Sequence, residues 1–299
     1  MTKRLVECVP NFSEGRDPEV IESIRNSIIE DGTCEVWNYS SDHDHNRSVF
    51  TIAGSPEDIG NAVIRFTAKA AKLINMEVHE GVHPCIGATD VVPFVPLLNT
   101  SMEECIELAE KTGLRIAKEL SLPVFLYAKA AKRPEHQRLS DIRRGGYRTL
   151  RDEIGSFQER MPDFGPHLMG TAGGVSIGAR DFLIAFNVFL DSVDTHPAKE
   201  IARRIRTSSG GLPALQAIGL SVNGYAQVSM NLLDYRVTSL KKVFSAISCL
   251  ADELKTGILY SELIGMLPES ALADISPEEL LIKDFNSDRI LETHLKKYL

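Results

Sequence analysis

Short apolar runs rich in β-branched and aromatic residues lie near Leu5 to Pro10, Glu35 to Tyr39 and Ser48 to Ala53, and these runs read as strands. A helical repeat follows Ser13, and a second runs from Ser55 to about Ile74, which gives the order βαββα. Val91 to Val95 and Val124 to Tyr127 predict two more strands. The helical stretch between them, around Met102 to Leu120, starts after Thr100 or Ser101 as N-cap with acidic residues in its first turn. Leu139 to Gly173, rich in glycine, charge and turn formers, reads as a long loop system with short helices. The second half repeats the logic. Phe182 to Leu190 predicts a strand, Ala198 to Arg206 a helix, Leu215 to Val222 and Ala226 to Asn231 two strands, and Thr238 to Leu254 a helix. The pattern predicts an α+β protein of two similar subdomains, residues 1–179 and 180–299, each an antiparallel sheet with helices on one face. Their other sheet faces predict a homodimer.

Composition narrows the class. The chain has 299 residues, 43% hydrophobic and 25% charged, within the ordinary globular range. Glu7 and Pro10 interrupt the first apolar stretch, so no secretory leader is expected. The longest apolar run, near Phe182 to Leu190, is too short to span a bilayer. Five scattered cysteines without CxxC spacing argue against a disulfide framework or a structural zinc site, and point to a reducing cytoplasm. A net charge of -8 disfavours nucleic-acid partners. Charge is nonetheless uneven: Lys129 to Arg151 holds eight basic residues, among them Arg143 and Arg144, against Glu135 and Asp141.

Candidate chemistry concentrates in His79 to Pro96, HEGVHPCIGATDVVPFVP. His79-Glu80-Gly81-Val82-His83 matches HExxH, in which one helix face offers two imidazoles to zinc. Gly81 and Pro84 oppose that helix, and no metal is expected. His79 and His83 both remain candidates for acid–base work, with Asp90 as a possible support. A second cluster, Asp42-His43-Asp44-His45-Asn46-Arg47, is expected to be a loop in which Arg47 could grip a carboxylate with two parallel hydrogen bonds.

In six separated blocks the chain resembles the formiminotransferase domain family, which occurs in formiminotransferase-cyclodeaminase and in single-domain enzymes. The blocks are LVECVPNFSEG at Leu5 to Gly15, HEGVHPCIGATDVVPF at His79 to Phe94, PDFGP at Pro162 to Pro166, GARDFLIAFNV at Gly178 to Val188, AQVSMNLLDY at Ala226 to Tyr235, and ELIGMLP from Glu262 to Pro268. The resemblance implies two ferredoxin-like subdomains. It also implies transfer of a formimidoyl group between N5 of tetrahydrofolate and the amino group of L-glutamate, the closing step of a histidine-degradation route, with folate and L-glutamate or N-formimidoyl-L-glutamate as partners. The family's catalytic histidine is that of the His-Pro pair, here His83, which leaves His79 a supporting group. The family's folate-binding loop maps onto Gly165, Pro166, His167, Leu168, Met169, Gly170, Thr171, Ala172, Gly173 and Gly174.

The chain departs from mammalian members at Cys85, where they carry arginine. Their aspartates ahead of the Asn-Arg pair correspond to Asn38 and Ser40 here, with Asp42 and Asp44 lying closer to it. Arg47, Arg143 and Arg144 are candidates for carboxylates of glutamate or of the folate tail. Formyl transfer from 5-formyltetrahydrofolate is the alternative on the same scaffold. A zinc hydrolase through His79 and His83, or a non-catalytic folate binder, are the readings of a different class.

Overall fold

The computed structural model describes residues Lys3–Leu299, which form two compact units meeting in sequence at Arg180 and Asp181. In the first, β1 (Leu5–Cys8), α1 (Pro18–Ile29), β3 (Glu35–Asp42), β4 (Arg47–Gly54), α2 (Pro56–Leu73) and β5 (Thr89–Leu98) follow the βαββαβ order. β1 lies antiparallel between β4 and β5, with β3 on the far side of β4. This is the ferredoxin-like arrangement. A two-residue strand, β2 (Asn11–Phe12), continues β1 between β4 and β5. Pro10, which has no N–H, separates the two strands and offers its carbonyl to the Phe50 amide.

An extension enlarges this sheet. After β5, α3 (Met102–Leu120) crosses to β6 (Val124–Ala128), and the chain returns as β7 (Val175–Ala179) between β5 and β6. Both new pairings are parallel, so this sheet is antiparallel over its ferredoxin-like part and parallel at one end. The sequence pattern did not predict β7. All five of its residues are buried, so no alternation marks it, and two glycines precede it.

Helix ends follow local chemistry. Pro18 and Pro56 occupy first turns where a missing N–H costs nothing, and Asp17 and Ser55 accept from amides of those turns. Ser101 and Glu104 form a reciprocal capping box on α3. The helices lay Ile24, Val63, Phe66, Cys105 and Ile116 onto Val6, Phe50, Ile52, Val92 and Phe94 of the strands. Phe12 meets Phe50 and Phe66 edge-on, with ring centroids 5.5 and 5.2 Å apart.

The second unit runs β8 (Ile184–Leu190), α6 (His196–Ile205), β9 (Leu215–Val222), β10 (Tyr225–Leu232), α7 (Leu240–Glu253) and β11 (Ile258–Ile264). Its sheet order, β11-β8-β10-β9, is again ferredoxin-like and wholly antiparallel. Ile184, Phe186 and Val188 alternate toward Ile201, Ile205, Val243 and Ile247 of the helices. The sequence pattern did not predict β11, because its pairing with β8 slips between Ile258 and Tyr260 and its polar Ser261 and Glu262 are adjacent. Among the described residues no helix is long and apolar enough to cross a membrane.

Candidate active site

The residues from His79 to Ala88 form no helix. His79 and His83 therefore do not share a helix face, and the geometry on which the HExxH motif depends is not there. Among the described residues no group of His, Cys, Asp and Glu side chains is arranged to hold a metal. The two rings instead enter one cluster with Phe12, Ser13, His45, Asn46, Arg47, Cys85 and Asp90, all within the first unit.

Backbone crossings build this cluster. A Cβ on Gly81 would lie 2.3 Å from the His45 carbonyl, so only glycine lets the histidine loop pass so close to the β3–β4 turn. Ser13 joins the next segment, its hydroxyl donating to the Gly87 carbonyl at 2.8 Å and its amide to the Ala88 carbonyl at 3.0 Å. Asn46, at a φ of 46°, ties three segments together. Its Oδ1 accepts from the Gly15 amide at 3.0 Å, and its Nδ2 donates to the Glu80 carbonyl at 3.0 Å. These bonds fix the amide's orientation, so Nδ2, 3.3 Å from His79 Nδ1, donates to that ring nitrogen. The His79 proton then sits on Nε2, which is buried on the side of the Ser13 backbone.

Arg47, the first residue of β4, places Nη1 3.2 Å from Nδ1 and 3.1 Å from Nε2 of His83. One guanidinium nitrogen equidistant from both ring nitrogens straddles the ring and is not in line with either lone pair. No carboxylate forms an ion pair with Arg47 among the described residues. Burial and the neighbouring Arg143 push its pKa down to about 10. Burial lowers the His83 pKa well below its ordinary value, and the charges of Arg47 and Arg143 and the His45 ring add to the effect. Burial likewise lowers His79. Both rings are therefore neutral at pH 7. Burial raises the Cys85 thiol to about 12, which leaves it protonated and unreactive.

Asp90 and Arg143 come together, but Asp90 does not hold the His83 ring. Its Oδ1 accepts from the Ile86 amide at 2.8 Å and its Oδ2 pairs with the Arg143 guanidinium. The basic stretch of the sequence is thus divided. Arg143 turns inward, Lys132 pairs with Glu110, Arg138 with Asp141 and Arg151 with Glu77, while Arg144 and Arg148 are exposed outside the cluster.

The loop Gly165–Gly174 reaches the cluster only at its far end. The Gly174 amide donates to the Ile86 carbonyl at 3.0 Å and the Ala88 amide to the Ala172 carbonyl at 2.8 Å, on either side of a Gly87–Gly173 bridge. The Met76 amide and Tyr147 hydroxyl hold the carbonyls of Thr171 and Gly170 at 2.7 and 3.1 Å. Nearer its start the loop is open, with Leu168 71% exposed. Sequence reasoning passed over Ser13 and Asn46, although Ser13 lies in the first matching block and Asn46 is half of the Asn-Arg pair.

Comparison with known proteins identifies the family. Residues 5–180 match the formiminotransferase domain, N-terminal subdomain, and residues 185–289 match the formiminotransferase domain. A glutamate formimidoyltransferase of Thermoplasma acidophilum is 40% identical over 98% of this chain and 98% of its own length. One of Streptococcus pyogenes is 38% identical over 98% of this chain and 99% of its own. The mouse formimidoyltransferase-cyclodeaminase is 41% identical over 91% of this chain, which spans 51% of that longer protein. Both units are covered by these matches, and the chain belongs to the formiminotransferase domain family.

Proposed function

We propose that this chain is a glutamate formimidoyltransferase, moving a formimidoyl group between N5 of tetrahydrofolate and the amino group of L-glutamate. The observation that carries the reading is a buried His83 ring, held neutral, straddled by the Arg47 guanidinium, which forms no ion pair with a carboxylate among the described residues. The reaction needs both features. An amine that adds to the formimidoyl carbon must lose a proton, and the departing folate nitrogen must gain one. His83 takes the first proton and delivers the second, leaving no net change on the ring. A ring whose pKa is depressed is a weak base but a strong conjugate acid, which suits the expulsion of an amine nitrogen. Arg47 offers two parallel N–H groups to a carboxylate of glutamate.

The loop Gly165–Gly174 is the folate-binding element of this proposal, and its ties to Ile86 and Ala88 bring it against the segment after His83. Asp90 and Arg143 support that segment, His79 presents Nε2–H to the cluster, and Arg144 is left to longer, tail-bearing folates. Residues 1–179 and 180–299 serve as the two formiminotransferase subdomains. Cys8, Cys34, Cys85, Cys105 and Cys249 all carry free thiols, which supports a reducing, cytoplasmic setting. The assembly proposed is a homodimer, measurable by light scattering.

The test is direct. Enzyme and glutamate are incubated with 5-formimino- or 5-formyltetrahydrofolate, and products are followed by mass. The proposal expects the formimino donor to be used, with a 100- to 10,000-fold loss in His83→Ala and near-normal folate binding. Preferential use of the formyl donor would replace formimidoyl by formyl transfer, and full activity in His83→Ala would remove the ring from the mechanism.

A further inference from the structure

Arg143 enters the cluster from a turn with little structure of its own. α4 spans only Leu139–Ile142, and the chain leaves through Gly145 and Gly146, both at positive φ, into α5 (Gly146–Glu153). A buried side chain from farther along holds this turn. Arg160 is 2% exposed. Its Nη1 donates to the carbonyls of Asp141 and Ile142 at 3.0 and 3.3 Å, and its Nη2 to the carbonyl of Arg144 at 2.7 Å. The Glu153 carboxylate lies 2.8 Å from its Nε. The three carbonyls flank Arg143 on both sides, and a planar guanidinium is the side chain whose rigid fork can reach all of them at once. A cation is unfavourable in the interior unless its donors are matched, and here one turn supplies most of the match.

We infer that Arg160 is a positioning residue: through the carbonyls of Asp141, Ile142 and Arg144 it holds the Arg143 guanidinium on Asp90, beside His83. Its consequence for rate rests on the proposed role of His83, whereas the positioning itself is readable in the resting protein. His83 faces Arg47 from β4, His45 from the β3–β4 turn and Arg143 from the end of α4, with Asp90 of β5 between Arg143 and the backbone. Of these groups Arg143 is the one that Arg160 places. An Arg143 released from its turn relaxes toward solvent and acts less on the His83 ring.

The experiment titrates the His83 ring by NMR in the full chain, with its resonance assigned by its absence in His83→Gln. Wild type is compared with Arg143→Met, Arg160→Met, Arg160→Lys and the Arg143→Met/Arg160→Met double variant. A cation nearby disfavours imidazolium, so Arg143→Met moves the His83 midpoint to higher pH. Arg160→Met should move it in the same direction, and the double variant no further than Arg143→Met alone. Arg160→Lys keeps a charge opposite Glu153 and so protects folding, yet one ammonium cannot reach all three carbonyls, and its midpoint should rise too. Folded Arg160 variants with an unmoved midpoint, or additive shifts in the double variant, would make Arg160 a structural group only and overturn the inference. Transfer assays on the same samples are independent. Activity surviving in His83→Ala removes the acid–base role and leaves the titration result standing.

Discussion

Replacing Gly87 by alanine would set a methyl group 2.0 Å from the Gly174 carbonyl oxygen, with the Gly174 nitrogen at 2.9 Å and the Ala172 carbonyl at 3.0 Å. All three are backbone atoms, so no rotamer change can clear the space. Ordinary contact begins near 3.4 Å, and the two segments must part by about 1.4 Å. That movement takes the Gly174–Ile86 and Ala88–Ala172 hydrogen bonds from 3.0 and 2.8 Å to beyond bonding distance. Two bonds at about 1 kcal/mol each, plus partial desolvation of what they leave unpaired, give a loss of about 2–4 kcal/mol. Gly170→Ala is the control, since nothing lies within 4 Å of its Cβ and its φ is not positive, so it should be neutral or slightly stabilising. Urea denaturation of both variants measures the cost, and folate titration measures its effect on the loop. Gly87→Ala should weaken folate at least tenfold with the glutamate KM little changed. Equal stability in the two variants, or a folate affinity in Gly87→Ala equal to that of wild type, would refute the reasoning that this seam holds loop and histidine segment together.

The cation beside His83 should matter to substrate: Arg47→Met is expected to raise the glutamate KM about 10- to 100-fold, the value of charge-assisted hydrogen bonds, and an unchanged KM would deny Arg47 the carboxylate. Because His83 is held neutral, the acid limb of kcat/KM should lie below pH 6.5 and move upward in Arg47→Met; a limb at or above 6.5 in wild type would contradict the electrostatics. Glu7 on β1 is buried, and loss of solvent pushes its carboxyl up to about 7, with Arg180 opposing the shift. The folded state then keeps a proton that the unfolded chain releases near 4.5, so stability falls as pH rises from 4.5 to 7 and stays low above it. At about 1.4 kcal/mol per pH unit, Glu7→Gln should gain about 3 kcal/mol in denaturation at pH 8 and little at pH 4.5; an equal effect at both would exclude a protonated Glu7.

Where one face of an element is wet, its residues were readable in advance. α2 and α3 carry apolar stripes and serine caps, and both were predicted nearly to the residue. β7 escaped because all five residues are buried, and β11 because a register slip breaks its period. The parallel end of the first sheet was illegible for the same reason as β7: without that strand nothing in the pattern joins β5 to β6. The first predicted strand ended at Pro10, whereas the chain resumes beyond it as β2 on the same neighbours.

The site divides along another line. His79, His83 and Asp90 lie within twelve residues, and their types announce chemistry. What each is bonded to does not follow from spacing. Asp90, eligible on type as a support for the ring, spends both oxygens on Ile86 and Arg143 because the turn that follows His83 needs an acceptor. Arg47 sits beside His83 although 36 residues separate them, because β4 begins where the histidine loop crosses the β3–β4 turn. Asn46 and Arg160 bind mainly backbone, and a carbonyl or amide is the same at every residue, so no pattern of side chains can advertise the partner. The groups that face substrate are thus read from type. The groups that aim them emerge only once the segments are crossed in space.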